Sequence, residues 1–435
     1  MAFIKEKQFY HLFLFVLFLA MLLASGKALY AQQKPIEDLD SLKVQIKNLE
    51  KRLNQLEEAQ TEAELQKLKE QALQEASMTS KEAVESAAFK SGQRSLQALN
   101  PEISVTGDAF LQRVQNENGF NENGRTGAHF RVLGIHVQSN LDPFSLTKIA
   151  LEVHPDGIEL GEAYVIWANL FKNISLTAGK FRQQFGVINR WHAHSLDQFD
   201  FPLPLVTILG EEGLNQTGFS IDWLMPNWWA HANTLTLQIT NGQNGHLFAG
   251  ELFSFPVVLG HFKNYYDLNP DTYLEIGLSG MVGQNNQRGY KEGRLIKEKT
   301  RLTKLTGLDL TLNWEPLNRA HYHSLTWRSE LYYADKEDSL SKNNIKAWGA
   351  YSYLQYRFNE RWYAGLRFDY TQPFVANNSG KNIYQIVPYV TWWQSHWVRF
   401  RLQYNYTNGN VIEKPNHLIR LQLTWAAGPH KHERY

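Results

Sequence analysis

From about residue 103 onward the side chains alternate with a period of two, and the charges keep to one of the two alternating faces. Leu308, Leu310, Leu312 and Trp314 are interleaved with Asp309, Thr311 and Asn313. Val398, Phe400, Leu402, Tyr404 and Tyr406 are interleaved with Arg399, Arg401, Gln403 and Asn405. A strand built this way has one apolar and one polar face. A soluble sandwich alternates too, but it is cut into shorter strands and does not need so many Trp and Tyr near the strand ends. Alternation this regular is the pattern of a strand placed between lipid and a wet lumen, so the implied fold class is an all-β transmembrane barrel of antiparallel strands.

About sixteen such segments can be counted, at 103–113, 127–139, 145–154, 158–169, 174–181, 214–225, 231–240, 258–267, 270–283, 303–315, 322–335, 344–357, 360–370, 382–393, 395–408 and 415–426. Connections after even-numbered segments are short, as in Leu141-Asp142-Pro143, Leu170-Phe171-Lys172, Met225-Pro226-Asn227, Leu268-Asn269-Pro270, Asn359-Glu360 and Gln394-Ser395. Most of those after odd-numbered segments are longer and rich in Asn and Gly, with His154-Pro155-Asp156-Gly157 breaking the trend. Short turns on one rim and long loops on the other are expected of an outer-membrane barrel, the short ones facing the periplasm. The longest connection, 181–213, is too apolar and aromatic for an external loop and is expected to fold inward and narrow the lumen.

The N-terminal part reads differently. Lys5 and Lys7 followed by the apolar run Leu12 to Ala24 predict a signal peptide over 1–31, cleaved after Ala31. The run is shorter than the ~20 residues a spanning helix needs. Over 32–77, Leu39, Leu42, Ile46, Leu49, Leu53 and Leu56 form an a/d seam that slips near Gln60 and resumes at Leu65, Leu68 and Ala72, predicting a coiled coil. A linker over 78–102 leads to the barrel at 103–427, and a short tail, 428–435, ends the chain. With the chain entering the barrel on the short-turn side, the coiled coil is expected in the periplasm. The absence of Cys removes disulfides, thiolate metal sites and Cys nucleophiles. Lys+Arg at 44 against Asp+Glu at 43 gives no reason to expect a nucleic-acid partner.

If the apolar face looks outward, the other face lines the lumen. It presents Arg328, Arg357, Arg367, Arg399, Arg401 and Arg420 as basic candidates, and Asp222, Glu275, Asp309, Glu330 and Asp369 as acidic ones, with Glu152 and Lys148 on an earlier strand. These charges either bias ion passage or pair with one another and stiffen the wall. In the long loop, Arg182, Arg190, Asp197, Asp200, Glu211 and Glu212 are candidates for a constriction, with latching of the loop to the wall as the other reading. His192 and His194, and His430 and His432 in the tail, are weak metal candidates, because an H-x-H pair supplies two ligands where a structural zinc site takes four. Ser195 beside His192, His194 and Asp197 has no G-x-S-x-G context, so catalysis is not expected. No cofactor is implied.

LNPEISVTGD (99–108), GKFRQQFG (179–186) and GEEGLNQTG (210–218), following a coiled coil, resemble a group of porin-like outer-membrane proteins related in fold to phosphate-selective porins O and P. Some members of that group carry the label of zinc-regulated TonB-dependent receptor. The resemblance covers essentially the whole mature chain and implies a sixteen- to eighteen-stranded, trimeric barrel. The receptor label does not suit this chain: such receptors need about 22 strands and a plug, whereas about 325 residues lie between Ile103 and Ala427. The expected function is passive diffusion of small hydrophilic solutes or ions, with a structural tether or a channel specific for a metal or an anion as alternatives. Expected partners are the lipid bilayer with its lipopolysaccharide, the barrel-assembly machinery and further copies in a homotrimer.

Overall fold

The computed structural model describes residues 101–115, 124–248, 256–285, 300–320, 322–337 and 344–428, and the backbone of a two-residue ribbon, Tyr290–Lys291 with Arg294–Leu295. The signal peptide, coiled coil and most of the linker expected over 1–100, and His430 and His432 in the tail, lie outside the described residues. The barrel strands are β1 (Glu102–Val114), β2 (Gly127–Asn140), β3 (Ser145–His154), β4 (Gly157–Phe171), β5 (Ile174–Arg182), β6 (Asn215–Met225), β7 (Ala232–Thr240) and β8 (Val257–Asn269). They continue as β9 (Thr272–Gln284), β10 (Leu302–Trp314), β11 (Ser324–Lys336), β12 (Ile345–Arg357), β13 (Trp362–Thr371), β14 (Ile383–Ser395), β15 (Val398–Gly409) and β16 (Asn416–Ala427).

Each strand pairs antiparallel with its sequence neighbours, and β1 closes the ring against β16 from Val105–Ala427 to Val114–Leu418. The sixteen strands coincide with the sixteen segments read from the alternation, their ends agreeing to within about three residues. Closure leaves no edge, so every barrel strand has hydrogen-bonding partners on both sides, the condition for a sheet in hydrocarbon.

The outward face carries Leu308, Leu331, Leu354, Leu366, Phe368, Leu402 and Leu421, all exposed. Each would forgo roughly 1.5–3 kcal/mol of burial if left in water, so this surface needs an apolar solvent. Aromatic side chains gather toward the strand ends. Trp348 stacks on Tyr370 at one end, and Trp362, Trp392 and Phe400 form a chain of ring contacts at the other. The inward face is polar and mostly buried: Asp309, Arg328, Glu330, Arg367, Asp369, Arg399 and Arg401 are each less than a tenth exposed.

Short turns are locally encoded. Asp142 accepts the backbone N–H groups of Phe144 and Ser145 at 2.7 and 2.8 Å, and the Ser145 hydroxyl at 2.6 Å, closing the β2–β3 turn. In the β4–β5 turn, Asn173 takes a φ of 64°, a left-handed conformation that Asn tolerates better than most residues.

A charge on the outward face should therefore be costly. Leu366→Arg, central in β13, is expected to lower unfolding stability by about 2–4 kcal/mol in lipid vesicles, measured by reversible denaturant titration. A loss below about 0.5 kcal/mol would contradict the lipid-facing assignment.

Candidate pore site and inner loop

The connection between β5 and β6 is an Ω-shaped segment whose ends are tied together. Gln183 donates its backbone N–H to the Leu214 carbonyl at 2.9 Å. Asn189 Nδ2 donates to the Gln183 and Leu214 carbonyls at 2.8 and 3.0 Å, and its Oδ1 accepts the Leu214 N–H at 2.8 Å. From this neck the segment runs through two 3-10 turns, Ile188–Arg190 and Ala193–Ser195, to a short helix α1 (Leu203–Leu209). Pro204 suits the first turn of α1, where its missing N–H costs nothing.

Inside the barrel the loop is fixed from wall to wall. Glu330 on β11 accepts the backbone N–H groups of Val187 and Ile188 at 3.2 and 3.0 Å, and the hydroxyls of Tyr332 and Tyr351 at 2.6 Å each. Gly186 lies against this carboxylate at φ 67°, a position where a Cβ would collide with it. Asp197 accepts the Tyr353 hydroxyl at 2.8 Å and the Gln355 amide at 3.3 Å. Asp369 accepts the Leu203 N–H at 3.0 Å. Asp200 receives Arg367 at 3.1 Å, Arg420 at 3.4 Å, and the amides of Gln403 and Asn405 at 2.8 Å. Burial opposes the charge on Asp200, but Arg367 and Arg420 outweigh it and hold the carboxyl below its ordinary range.

Apolar packing completes the contact. Phe185, Ile188, Trp191, Leu196, Leu205, Ile208 and Leu209 of the loop are buried in one cluster with Leu259, Met281 and Leu305 of the wall. Leu247 and Phe248, from the β7–β8 connection, join the same cluster.

Most of the basic candidates meet at this loop. Arg367 bridges Asp200 and Asp369; Arg401 donates to the Leu196 carbonyl at 2.7 Å; Arg399 donates to the carbonyls of Leu196 and His194. Arg328 lies over the Trp191 ring, 4.5 Å from its centroid, and donates to Tyr353 and Thr311. Arg420 stacks on Phe199 opposite Asp200. Arg357 stands apart: it donates to the carbonyls of Ala320, Asn359 and Glu360 at the short-turn rim.

The acidic candidates divide similarly. Glu330 and Asp369 hold the loop, while Asp222 accepts Thr236 and Ser220, and Glu275 pairs with Lys263. Asp309 is buried with its Oδ2 3.9 Å from His261 Nδ1. In the loop, Arg182 donates its backbone N–H to Glu162 and its guanidinium to the Glu212 carbonyl, not to a loop carboxylate. Arg190 is half-buried against Gln184; Glu211 and Glu212 are exposed.

His192 and His194 lie together with His136, with ring centroids 5.0–5.6 Å apart. Among the described residues no group of three or more His, Cys, Asp or Glu side chains is arranged to hold a metal ion. His192 is instead engaged with Glu152 and Glu162.

Glu162, His136 and Arg131 belong to this site and were not singled out from the sequence. Arg131 donates to the Phe199 carbonyl at 2.7 Å and to Asp108 at 3.4 Å. It is the unopposed residue of a bulge where Asp108 pairs with Val132 and Ala109 with Phe130. Gly161 plays the same part beside Glu162. A bulge shifts which residues face inward, so simple alternation misassigns Arg131 and Glu162.

Lys148, Glu152, Asp222, Lys263 and Glu275 keep partial solvent access on the inward side of β3, β6, β8 and β9, while most inward side chains of β10–β15 are buried. A recess of about 50 Å³ remains beside the loop at the short-turn end of β12–β15, lined by Asp197, Gln355, Tyr363, Thr391, Arg399 and Arg401 among others.

No protein-family model matches the chain. A protein of Aquifex aeolicus (strain VF5), described as uncharacterized, is 25% identical over 265 residues, covering 57% of this chain and 55% of that protein. The match thus spans about half the length of that relative. Among solved structures, the outer membrane channel DcaP of Acinetobacter baumannii superposes with a TM-score of 0.51 at 11% identity, over 75% of this chain and 96% of that one. An anion-selective porin from Comamonas acidovorans gives 0.50 at 10% identity, over 75% and 99%. The trimer form of OmpT, an outer membrane protein of Vibrio cholerae, gives 0.51 at 8% identity, over 75% and 99%. These likenesses are of fold: the chain has a porin-like outer-membrane barrel fold of sixteen strands.

Glu330→Ala would strand two backbone N–H groups and two tyrosine hydroxyls in the interior. A loss on the order of 3 kcal/mol in unfolding stability is expected, against about 0.5 kcal/mol or less for exposed Glu211→Ala, measured by denaturant titration in detergent. Equal effects would contradict the anchoring role.

Proposed function

We propose that this protein is an outer-membrane porin through which small hydrophilic solutes or ions pass by diffusion, the loop 183–214 forming its constriction. The observation that carries this reading is the loop itself, pinned across the inside of a closed barrel by side chains of the inward face. A loop fixed by this many bonds narrows a lumen at a set cross-section, which is how a passive pore sorts solutes by size. The reading includes export through the signal peptide, a coiled coil in the periplasm, and assembly as a homotrimer in a lipopolysaccharide-bearing membrane. It has no place for catalysis.

Selectivity follows from where the charges are spent. Arg328, Arg367, Arg399 and Arg401 are buried in holding the loop, so the inward charges that keep partial solvent access are Lys148, Glu152, Asp222, Lys263 and Glu275, with Arg131, Asp200 and Arg420 beside the loop. That set is close to balance, and weak ion selectivity follows.

The test is single-channel recording from the refolded mature protein in a planar bilayer under a salt gradient. Discrete steps with a reversal potential near zero are expected; a folded barrel that passes no current would overturn the porin reading. Asp222→Asn combined with Glu275→Gln should move the reversal potential toward anion preference. Arg401→Gln should raise current noise and leave the reversal potential nearly unchanged. The opposite pattern would return selectivity to the arginines.

A further inference from the structure

Glu330, Asp369 and the arginines hold the loop through hydroxyl, backbone and guanidinium groups, which keep their protons throughout the ordinary pH range. One anchor is of another kind. His192 Nδ1 lies 3.3 Å from Glu152 Oε1, and its Nε2 lies 2.8 Å from Glu162 Oε2. A neutral imidazole has a single N–H, so bridging two carboxylates requires the doubly protonated ring. We infer that His192 is a positioning residue of the inner loop, a charge-dependent latch holding the loop corner against β3 and β4 so that the steadiness of the channel depends on pH. The inference rests on the reading of the loop as the constriction.

The surroundings define how the latch responds. From β2, His136 meets both His192 and His194 edge-on. On β3, His154 Nε2 lies 3.6 Å from Glu152 Oε2. On β5, the Arg182 guanidinium places a further positive charge nearby, and its backbone N–H also donates to Glu162. Within the loop, His194 stacks on His192.

Burial disfavours the charged ring, but the hydrogen bonds with Glu152 and Glu162 outweigh it, and the pKa of His192, which belongs to the loop and not to a strand, is raised above its ordinary value. The sign follows: the latch is complete below the ordinary histidine value and is lost as pH rises through the raised value. On losing its proton the ring keeps one N–H, and one carboxylate loses its donor. Glu162 retains the Arg182 N–H; Glu152, one-fifth exposed, can rehydrate. The corner then leaves β3 while its flanks stay fixed, by Glu330 at Val187 and Ile188 and by Arg399 and Arg401 at Leu196. Trp191 stays in the apolar cluster and the His194 carbonyl stays on Arg399, so the motion is confined to His192 and Ala193.

The experiment records channel currents of the native protein, His192→Lys and His192→Gln from about pH 6 to about pH 10, a span that brackets a raised histidine. Native channels should be steady at the acid end and close several-fold more often at the alkaline end. The lysine variant, charged throughout, should stay steady, and the glutamine variant should be unsteady at every pH. A native pH profile shared by either variant would overturn the latch. If the glutamine chain does not refold, the lysine comparison decides alone. If the native barrel passes no current, the porin reading fails and melting in detergent judges the latch. Native stability should then fall across the same interval and His192→Lys should not follow it; parallel profiles would overturn the inference.

Discussion

A backbone amide in hydrocarbon has no water to turn to, and each unmade bond there costs several kcal/mol. The pairing of β1 with β16 removes the last unpaired edge of the sheet, and the rest of the structure depends on that closure. Once the ring is closed, the outward side chains can be uniformly apolar. The inward ones are freed to carry Asp, Glu, Arg and Gln, because the lumen supplies either water or polar partners.

The interior charges are used chiefly for construction. Arg367 at full burial sits between Asp200 and Asp369, and Glu330 collects four donors. Burying an ion is costly unless it is paired and hydrogen-bonded, and here the partners come from a loop that would otherwise be free to move. Loop and wall therefore satisfy each other: the wall's carboxylates and guanidiniums cap loop backbone groups, and the loop shields them from water. Charges that keep partial solvent access lie chiefly on the other side of the barrel, along β3, β6, β8 and β9, with Arg131, Asp200 and Arg420 half-buried beside the loop.

How much of this was legible in the sequence differs between fold and site. The strands were legible because the period of two persists through most of their length and short turns such as the one at Asp142 mark where it resets. The inward course of the loop was legible in its apolar composition. The roles of Arg399 and Arg401 were not: alternation places them on the inward face, but their partners are carbonyls of residues about 205 positions away in the chain. Arg131 escaped for a local reason, since a bulge alters the alternation at that residue. His192 drew attention through the H-x-H pattern, which points to a metal, whereas its partners are Glu152 and Glu162 on two strands.

The sequence by itself determined the class of solvent this chain is built for, the number of strands, their order around the ring and which rim bears the long loops. All of these depend on local periodicity and on neighbour pairing, which a linear pattern specifies. Only the tertiary structure decided what the inward charges do. Pairing across a lumen joins residues far apart in sequence, and whether an arginine faces water or a loop carbonyl depends on where the loop comes to rest. That position is set jointly by the apolar cluster around Trp191, the carboxylate of Glu330 and the tied neck at Asn189, a combination with no periodic signature in the chain.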